Sequence, residues 1–510
     1  MDNKYFIGID SGTSGIKAVL FYANGEQLEK AYRPLNGIFP EENQYEEDMT
    51  EIWQKCKECI KELSESYDLK NVSGIGITAQ GDGLWMLDKD GNPVRNGICF
   101  CDGRAGDIVD EWVSDGTVDK LFDLTGTRIF SGNQNGIVKW MQRNEPASLD
   151  KSAYLMHLKD YLFLKLTGHV TTDATDQSLI FLNQNTRNYS DEVFKLCKLE
   201  EYREKYPPIL PAKENAFYIL PYLAEQLGFS KEVLVTSGPM DVSACALGSG
   251  VVDIGDCCTI MGTAALHEMV ISKPLQDNIH AGMTITHVMP NRWLRLMASL
   301  AGTPNLDWMI KTFGAGIKIE AKNANMNIYD YMENMIKNVP IGANGIIYHP
   351  YLLPGGERAP FTDSAARASY TGISSRHTLA DIIRATYEGV AYAMVDCYQH
   401  MPQAINNLTL CGGGTKSAFW SQMFADAVGH EIITVKGEEA GAKGVVLNNC
   451  VVQGYYKDYK DAVEKTVEID KKYIPDCNKH KEYMRFYKLY KKTYDSIHET
   501  WRLRKSLIGE

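Results

Sequence analysis

The order of elements predicts an α/β protein built by internal duplication. The prediction rests on a glycine-rich turn between two apolar runs, a βββαβ order at the start of the chain, and a weaker return of that opening after Asp256. The apolar runs at 5–9 and 16–21 enclose Asp10-Ser11-Gly12-Thr13-Ser14-Gly15-Ile16-Lys17 and read as strands, and an Asn24-Gly25 pair suits a hairpin to a third strand at 27–32. Met49, Ile52, Trp53, Cys56, Ile60 and Leu63 then share one face of a helix, and a strand follows over 72–77. After Asp256 come a strand at 257–261, a Gly262-Thr263 turn, a strand at 266–270 and a third near 292–297. A helix over 379–397 leads to a strand at 408–411 that ends in Gly412-Gly413-Gly414. Trp420, Met423, Phe424 and Ala427 at helical spacing put another helix directly behind it.

The 510 residues exceed what one core usually supports, so at least two domains are expected, hinged rather than separated by a flexible linker. With 53 basic and 65 acidic residues the net charge is −12, which argues against nucleic acid or an anionic membrane as partner. An anionic nucleotide is still admissible, because backbone dipoles and a divalent cation outweigh net charge locally. The start of the chain lacks the apolar stretch of a signal peptide, and no later run is long enough to span a membrane, so a cytoplasmic protein is expected. Its twelve cysteines are then free thiols, and Cys56 and Cys59, both inside the helical pattern, read as buried. Loops and short helices are expected near 201–221. The stripe Tyr483, Phe486, Tyr487, Tyr490 and Tyr494 reads as a C-terminal helix packed on the body.

The glycine turns carry the chemistry. Glycines and small hydroxyl residues let backbone N–H groups converge on phosphate oxygens, and a carboxylate at the mouth of such a turn can hold a divalent cation. The first turn has this composition, with Asp10 at its mouth. Two further turns, at Gly262-Thr263 and at Gly412 to Gly414, repeat the theme. A strand, a glycine turn and a helix in succession form a nucleotide-binding arrangement.

These residues, in this order, resemble the FGGY carbohydrate kinases of the actin/hexokinase superfamily. The family's C-terminal motif is matched by Ala368-Ser369-Tyr370-Thr371-Gly372-Ile373 followed by 381–388; Trp140 through Pro146 resembles the N-terminal motif, with Ile137 where a lysine is usual. The resemblance implies two ribonuclease-H-like domains flanking a catalytic cleft, one over 1–250 that holds the sugar and the catalytic base and one over 251–510 that binds ATP. It implies domain closure around the reactants. It assigns the catalytic base to Asp241, in Gly238-Pro239-Met240-Asp241, where a carboxylate can take the proton of the attacking hydroxyl. Asp10 is expected to bind Mg²⁺, directly or through water, with Gly12, Thr13, Ser14 and Lys17 near the transferring phosphate. Gly262, Thr263, Gly302, Gly412, Gly413 and Gly414 are expected on the nucleotide side, and the glycines from Gly441 to Gly444 are expected to close the adenosine pocket.

On the sugar side, Gln80-Gly81-Asp82-Gly83-Leu84-Trp85 offers polar groups beside an aromatic wall, and Asp102-Gly103-Arg104 resembles the family's Asp-Xaa-Arg element. Substrate contacts are expected from Gln80, Gly81, Asp82, Asp102, Arg104 and Asp241. Common xylulokinases carry Met-His near Gln80 and glycerol kinases Arg-Glu. The wording here resembles the L-xylulose and erythritol kinase branches, so the substrate is expected to be a ketopentose or a short sugar alcohol. Homodimers are common among such relatives. An actin-superfamily ATPase acting as a chaperone would carry a β-rich substrate module after the nucleotide domain, and a Rossmann enzyme would lead its first turn into a helix. Neither pattern is present.

Overall fold

A computed structural model describes residues 4–274, 279–353 and 355–508; residues 1–3, part of the start read above, lie outside them. The chain forms two compact units of interleaved pieces. The first comprises residues 1–254, 270–294 and 437–467, and the second 255–269, 295–436 and 468–510.

The first sheet contains β1 (Tyr5–Gly12), β2 (Gly15–Tyr22), β3 (Gln27–Pro34), β4 (Val72–Ala79), β5 (Ala216–Tyr218) and β6 (Leu234–Ser237), in the spatial order β5-β6-β4-β1-β2-β3. β1, β4 and β6 run parallel, while β2, β3 and β5 are antiparallel to their neighbours. The helix Met49–Leu63 is started by Asp48, whose side chain accepts from Thr50 and Glu51 N–H. It buries Met49, Ile52, Cys56, Cys59, Ile60 and Leu63 in one core with Ile7, Ile9, Ile75 and Ile77. Each fully buried aliphatic side chain contributes roughly 1.5–3 kcal/mol.

A second helix, Ala440–Val452, lies over a lane of glycines in the same unit. A Cβ on Gly8 would meet Ala442 O at 2.3 Å, one on Gly76 would meet Val445 O at 2.3 Å, and one on Gly248 would meet Ala440 O at 2.0 Å. Asn449 locks the register by donating through Nδ2 to Ile75 O at 3.1 Å and Leu234 O at 3.0 Å.

The second sheet contains β7 (Cys257–Met261), β8 (Ala265–Ile271), β9 (Met283–Thr286), β10 (Trp293–Ser299), β11 (Leu408–Cys411), β12 (Ile432–Val435) and β13 (Ile469–Tyr473). Its order is β9-β10-β8-β7-β11-β12-β13, so β7 and β8 repeat the opening antiparallel pair, β10 stands third as β3 does, and β11 lies parallel to β7 as β4 does to β1. The expected duplication is therefore present, with β9 as an addition. The C-terminal helix Cys477–Ile508 buries Tyr483, Tyr487, Tyr490 and Tyr494 within the second unit; Tyr487 and Tyr494 hydroxyls both donate to Asp396, at 2.6 and 3.0 Å. Among the described residues no helix is long and apolar enough to cross a membrane.

The glycine lane sets a stability test. A Cβ on Gly444 would fall 1.9 Å from Ala244 O, whereas one on Gly316, also helical, meets nothing within 4 Å. Gly444→Ala is expected to cost about 1–3 kcal/mol through overpacking, and Gly316→Ala to gain about 0.5–1 kcal/mol. Differential scanning calorimetry should show the two melting temperatures moving in opposite directions.

Candidate active site

The three parallel strands of the first sheet end side by side and deliver their next residues to one corner. The β1–β2 register sets Asp10 opposite Lys17 and Gly12 opposite Gly15, which leaves Thr13 and Ser14 as the turn. Asp10 also lies beside Thr78 of β4, and Gln80 N–H donates to Ser11 O at 2.8 Å, so the Gln80 segment leaves β4 next to Asp10. The loop leaving β6 is tied back by Thr78 Oγ1 donating to Pro239 O at 2.7 Å and by Met240 N–H donating to Thr175 Oγ1 at 2.8 Å. Asp241 opens the helix Asp241–Gly248 at that point. Open α/β sheets place ligands at the carboxyl ends of their parallel strands, where loops project functional side chains.

Asp241 is partly exposed, and its carboxyl is pushed up to about 7 by burial and by the charge of Asp10, against a hydrogen bond from Val242 N–H. Asp82 and Asp176 add to that upward push. A carboxylate poised near neutrality suits proton abstraction.

Lys17 Nζ lies 3.1 Å from Asp10 Oδ2 and 2.6 Å from Glu439 Oε2. Burial pulls the Lys17 ammonium down, and Asp10 and Glu439 more than offset this, leaving it above its ordinary value. Lys30 joins the same Glu439 at 3.0 Å. Lys17 is thus a charge held between two carboxylates, with Gly12, Thr13 and Ser14 at the open end of the turn.

Of the residues expected on the sugar side, Gln80 and Asp82 are buried. Gln80 Nε2 donates to Glu47 Oε2 at 2.9 Å, and Asn133 Nδ2 donates to Asp82 Oδ1 at 2.6 Å. Burial pushes the Glu47 carboxyl up to about 7, against hydrogen bonds from Cys99 and Gln80. Gly81 lies close to the Met240 side chain: a Cβ there would fall 2.5 Å from Met240 Cε, next to Asp241 in sequence.

Asp102 departs from expectation. Its Oδ1 accepts from Arg104 N–H and Nε, both at 2.8 Å; its Oδ2 accepts from Tyr45 N–H at 2.6 Å and Arg104 Nη2 at 2.9 Å. All four lone-pair directions are used and the residue is fully buried, so Asp102 anchors Arg104 instead of meeting a polyol. Arg104 also donates Nη2 to Glu46 Oε1 at 2.7 Å and stacks its guanidinium 5.2 Å from the Trp140 ring centroid.

In the second unit, the expected nucleotide turns meet at the ends of the parallel pair β7 and β11. Gly412 has φ +86, and a Cβ there would strike Met261 O at 2.6 Å. A Cβ on Gly302 would strike Thr263 O at 2.3 Å, and Thr303 N–H donates to Gly262 O at 2.9 Å. Gly262, Thr263, Gly302 and the run from Gly412 to Gly414 therefore share one locality, and a Cβ on Gly413 would meet nothing within 4 Å.

The expectation for Gly441 to Gly444 is corrected. Both glycines are buried in the first unit, where a Cβ on Gly441 would lie 3.0 Å from Asp10 Oδ2 and one on Gly444 would strike Ala244 O. What approaches these glycines is backbone and Asp10, which leaves no flat surface for a purine. Sequence reasoning missed Glu47, Asp176 and Glu439. Glu47 follows Glu46 in a two-residue strand, and adjacent acids ahead of a capped helix were the only local signal.

Comparison with known proteins agrees with this geometry. The N-terminal domain profile of the FGGY family of carbohydrate kinases matches residues 5–248, and the C-terminal domain profile matches residues 257–452. The chain is 28% identical over 507 residues to an erythritol kinase of Brucella abortus, covering 97% of this chain and 96% of that one. It is 29% identical over 514 residues to a xylulose kinase of Staphylococcus epidermidis, covering 97% of each. In fold it is similar to a ligand-bound xylulose kinase from Lactobacillus acidophilus, with TM-score 0.90 at 23% identity over 98% of this chain and 99% of that one. On these matches the chain belongs to the FGGY family of carbohydrate kinases, and it is a sugar-phosphorylating enzyme.

Proposed function

We propose that the enzyme transfers the terminal phosphate of ATP to a hydroxyl of a small neutral sugar, a ketopentose of the xylulose type, with Asp241 as general base. The observation that carries this reading is the Asp241 carboxyl, pushed up to about 7 beside Asp10 at the shared ends of β1, β4 and β6. The xylulose kinase relative supports the ketopentose. The erythritol kinase relative keeps a short sugar alcohol as the second reading, because it aligns over a comparable length.

In this mechanism Gln80, Asp82 and Arg104 orient the sugar, and Asp241 takes the proton of the attacking hydroxyl as its oxygen bonds to phosphorus and ADP departs. Phosphoryl transfer gains mainly from positioning and charge stabilisation, so the residues that hold the acceptor in line matter as much as the base. The glycine turns at Gly262, Gly302 and Gly412 to Gly414 hold the nucleotide, with Gly12, Thr13 and Ser14 supplying N–H groups to the transferring phosphate. Asp10 is the residue that would hold Mg²⁺. A single carboxylate fits that ion, which keeps several waters and takes its other oxygens from phosphate, and the bound ion would neutralise charge on the phosphates. The division of labour follows residues 1–250 for sugar and base and 251–510 for ATP. A cytoplasmic setting accords with twelve free thiols, and light scattering on the purified chain reads whether it forms the homodimer common in the family.

An ADP-release assay over ketopentoses, aldoses and C3–C6 polyols tests the function, and no turnover on any of them would end this reading. Asp241→Asn is expected to keep sugar and ATP binding while kcat falls by roughly 10²–10⁴. The same variant tests the electrostatics. Asp241 titrates at about 7 when folded, against an ordinary 3.8, so its ionised form costs folding free energy as pH rises from about 4, and fully above about 7. Asp241→Asn should therefore raise Tm at pH 8 by roughly 2–5 °C and lose that gain below pH 4.

Catalysis has a matching pH dependence. Because the base acts only when ionised, kcat/KM is expected to fall about tenfold per pH unit well below 7. Asp10→Ala should raise the Mg²⁺ concentration needed for half-maximal rate. An unchanged metal dependence would remove Asp10 from that role.

A further inference from the structure

Beside the proposed base lies a set of buried acceptors that the protein leaves without donors. Asp176 is 1% exposed, and neither carboxylate oxygen accepts a hydrogen bond, although Oδ2 lies 3.2 Å from Lys159 Nζ. Gln80 Oε1, Glu47 Oε1 and Gln177 Oε1 are likewise buried and without a hydrogen bond. Chain neighbours and short contacts connect the residues that carry them: Gln80 precedes Gly81, and Gln177 follows Asp176. Glu47 accepts from Gln80, the Cβ position of Gly81 lies 3.7 Å from Asp176 Oδ1, and Gln177 Nε2 lies 3.4 Å from His157 Nδ1. The charge of Asp176 is felt by both His157 and Asp241.

A buried polar atom with no partner is costly, and a cluster of them marks a place where a ligand supplies the missing groups. Here the unfilled groups are mainly acceptors, so the matching ligand brings several O–H donors. The nearby cations are already matched. Lys159 is shared among Asp160 at 3.1 Å, Asp173 at 2.5 Å and Asp176, and Arg104 is held by Asp102 and Glu46. A ligand carboxylate would meet unpaired acceptors and surplus acid without a free positive partner.

Building on the kinase reading above, we propose that Asp176 is a specificity-determining residue of the sugar site. With Gln80, Glu47 and Gln177 it selects a neutral polyhydroxyl acceptor through its hydroxyl protons and turns away sugar acids. Gly81 keeps this side of Asp176 uncovered, since a Cβ there would lie 3.7 Å from Asp176 Oδ1 and displace the Met240 methyl.

The test compares the full-length wild type, Asp176→Asn and Asp173→Asn, the last altering another Lys159 partner outside the acceptor set. Initial rates with ATP are measured on D-xylulose, L-xylulose, erythritol and D-gluconate. For the wild type, kcat/KM on the best neutral acceptor should exceed that on D-gluconate by about 10² or more. Asp176→Asn should raise KM for that acceptor about tenfold, change kcat by less than about threefold, and lower the neutral-to-gluconate ratio about tenfold. Asp173→Asn should leave the ratio at the wild-type value even where it lowers stability. A wild type that uses D-gluconate as well as its best neutral acceptor overturns the inference, as does Asp176→Asn with unchanged KM and ratio; both outcomes leave the kinase reading standing. Absence of turnover on every acceptor defeats the kinase reading and this inference together. If Asp176→Asn does not fold, Gln177→Leu, which removes another acceptor of the set, is read in its place, and an unchanged KM and ratio there overturns the inference.

Discussion

The approach of the helix Ala440–Val452 to the first sheet constrains everything around the site. A helix normally rests on a sheet through side chains, and here it comes down onto backbone at Gly8 and Gly76 of the sheet, while Gly248 and Gly444 let it close on the helix Asp241–Gly248. The contact leaves little tolerance, because a methyl group at any of these positions would overlap a carbonyl oxygen. Its consequence for chemistry is positional. The helix begins where β1 ends and β2 starts, so Glu439 reaches Lys17 and Lys30, and Gly441 packs on Asp10. The ion pairs at the mouth of the first turn are fixed by a packing arrangement several residues away.

Electrostatically, the site gathers more carboxylates than cations. Asp10, Asp176 and Asp82 all act on Asp241, and Lys159 and Lys17 each answer two or more acids. Burial leads, with repulsion from neighbouring acids added to it, in pushing Asp241 and Glu47 up to about 7 and Asp176 up to about 6. Such crowding destabilises the folded chain near neutral pH, and sites that need a poised base commonly accept that cost. The same crowding would let a simple aspartate at a helix start act as the proposed base without a histidine beside it.

Much of this was legible in the sequence where the signal was local. The β1–β2 turn follows from apolar runs around Asp10 to Lys17, and the strand ending at Cys411 follows from its run into three glycines. Residues joined over long sequence distance were not legible. Glu439 meets Lys17 across more than four hundred residues, Asp176 meets the Gly81 segment from a four-residue helix, and neither carries a pattern that periodicity can detect. Gly441 and Gly444 were misread for a related reason. A glycine announces that something comes close without saying whether it is a purine, a side chain or a carbonyl. Asp102 shows the converse limit, since an aspartate two residues before an arginine reads equally as ligand contact or as anchor until its lone pairs are counted.

The two glycine-turn systems also differ in what their glycines do, and this bears on how the family fold divides its work. In the second unit, Gly302 and Gly412 are required by backbone packed against Thr263 and Met261, while a Cβ on Gly413 would meet nothing within 4 Å and one on Gly262 only Ala264 O at 3.8 Å. The supporting glycines build a rigid floor and the neighbouring ones leave it uncovered, as a surface for phosphate and base must be. In the first unit the comparable packing is spent on the helix Ala440–Val452, and the open positions are Gly12 and its turn. On the proposed reading, a nucleotide would meet backbone on the second-unit turns, while the acceptor would meet side chains carried at the ends of the first sheet's strands.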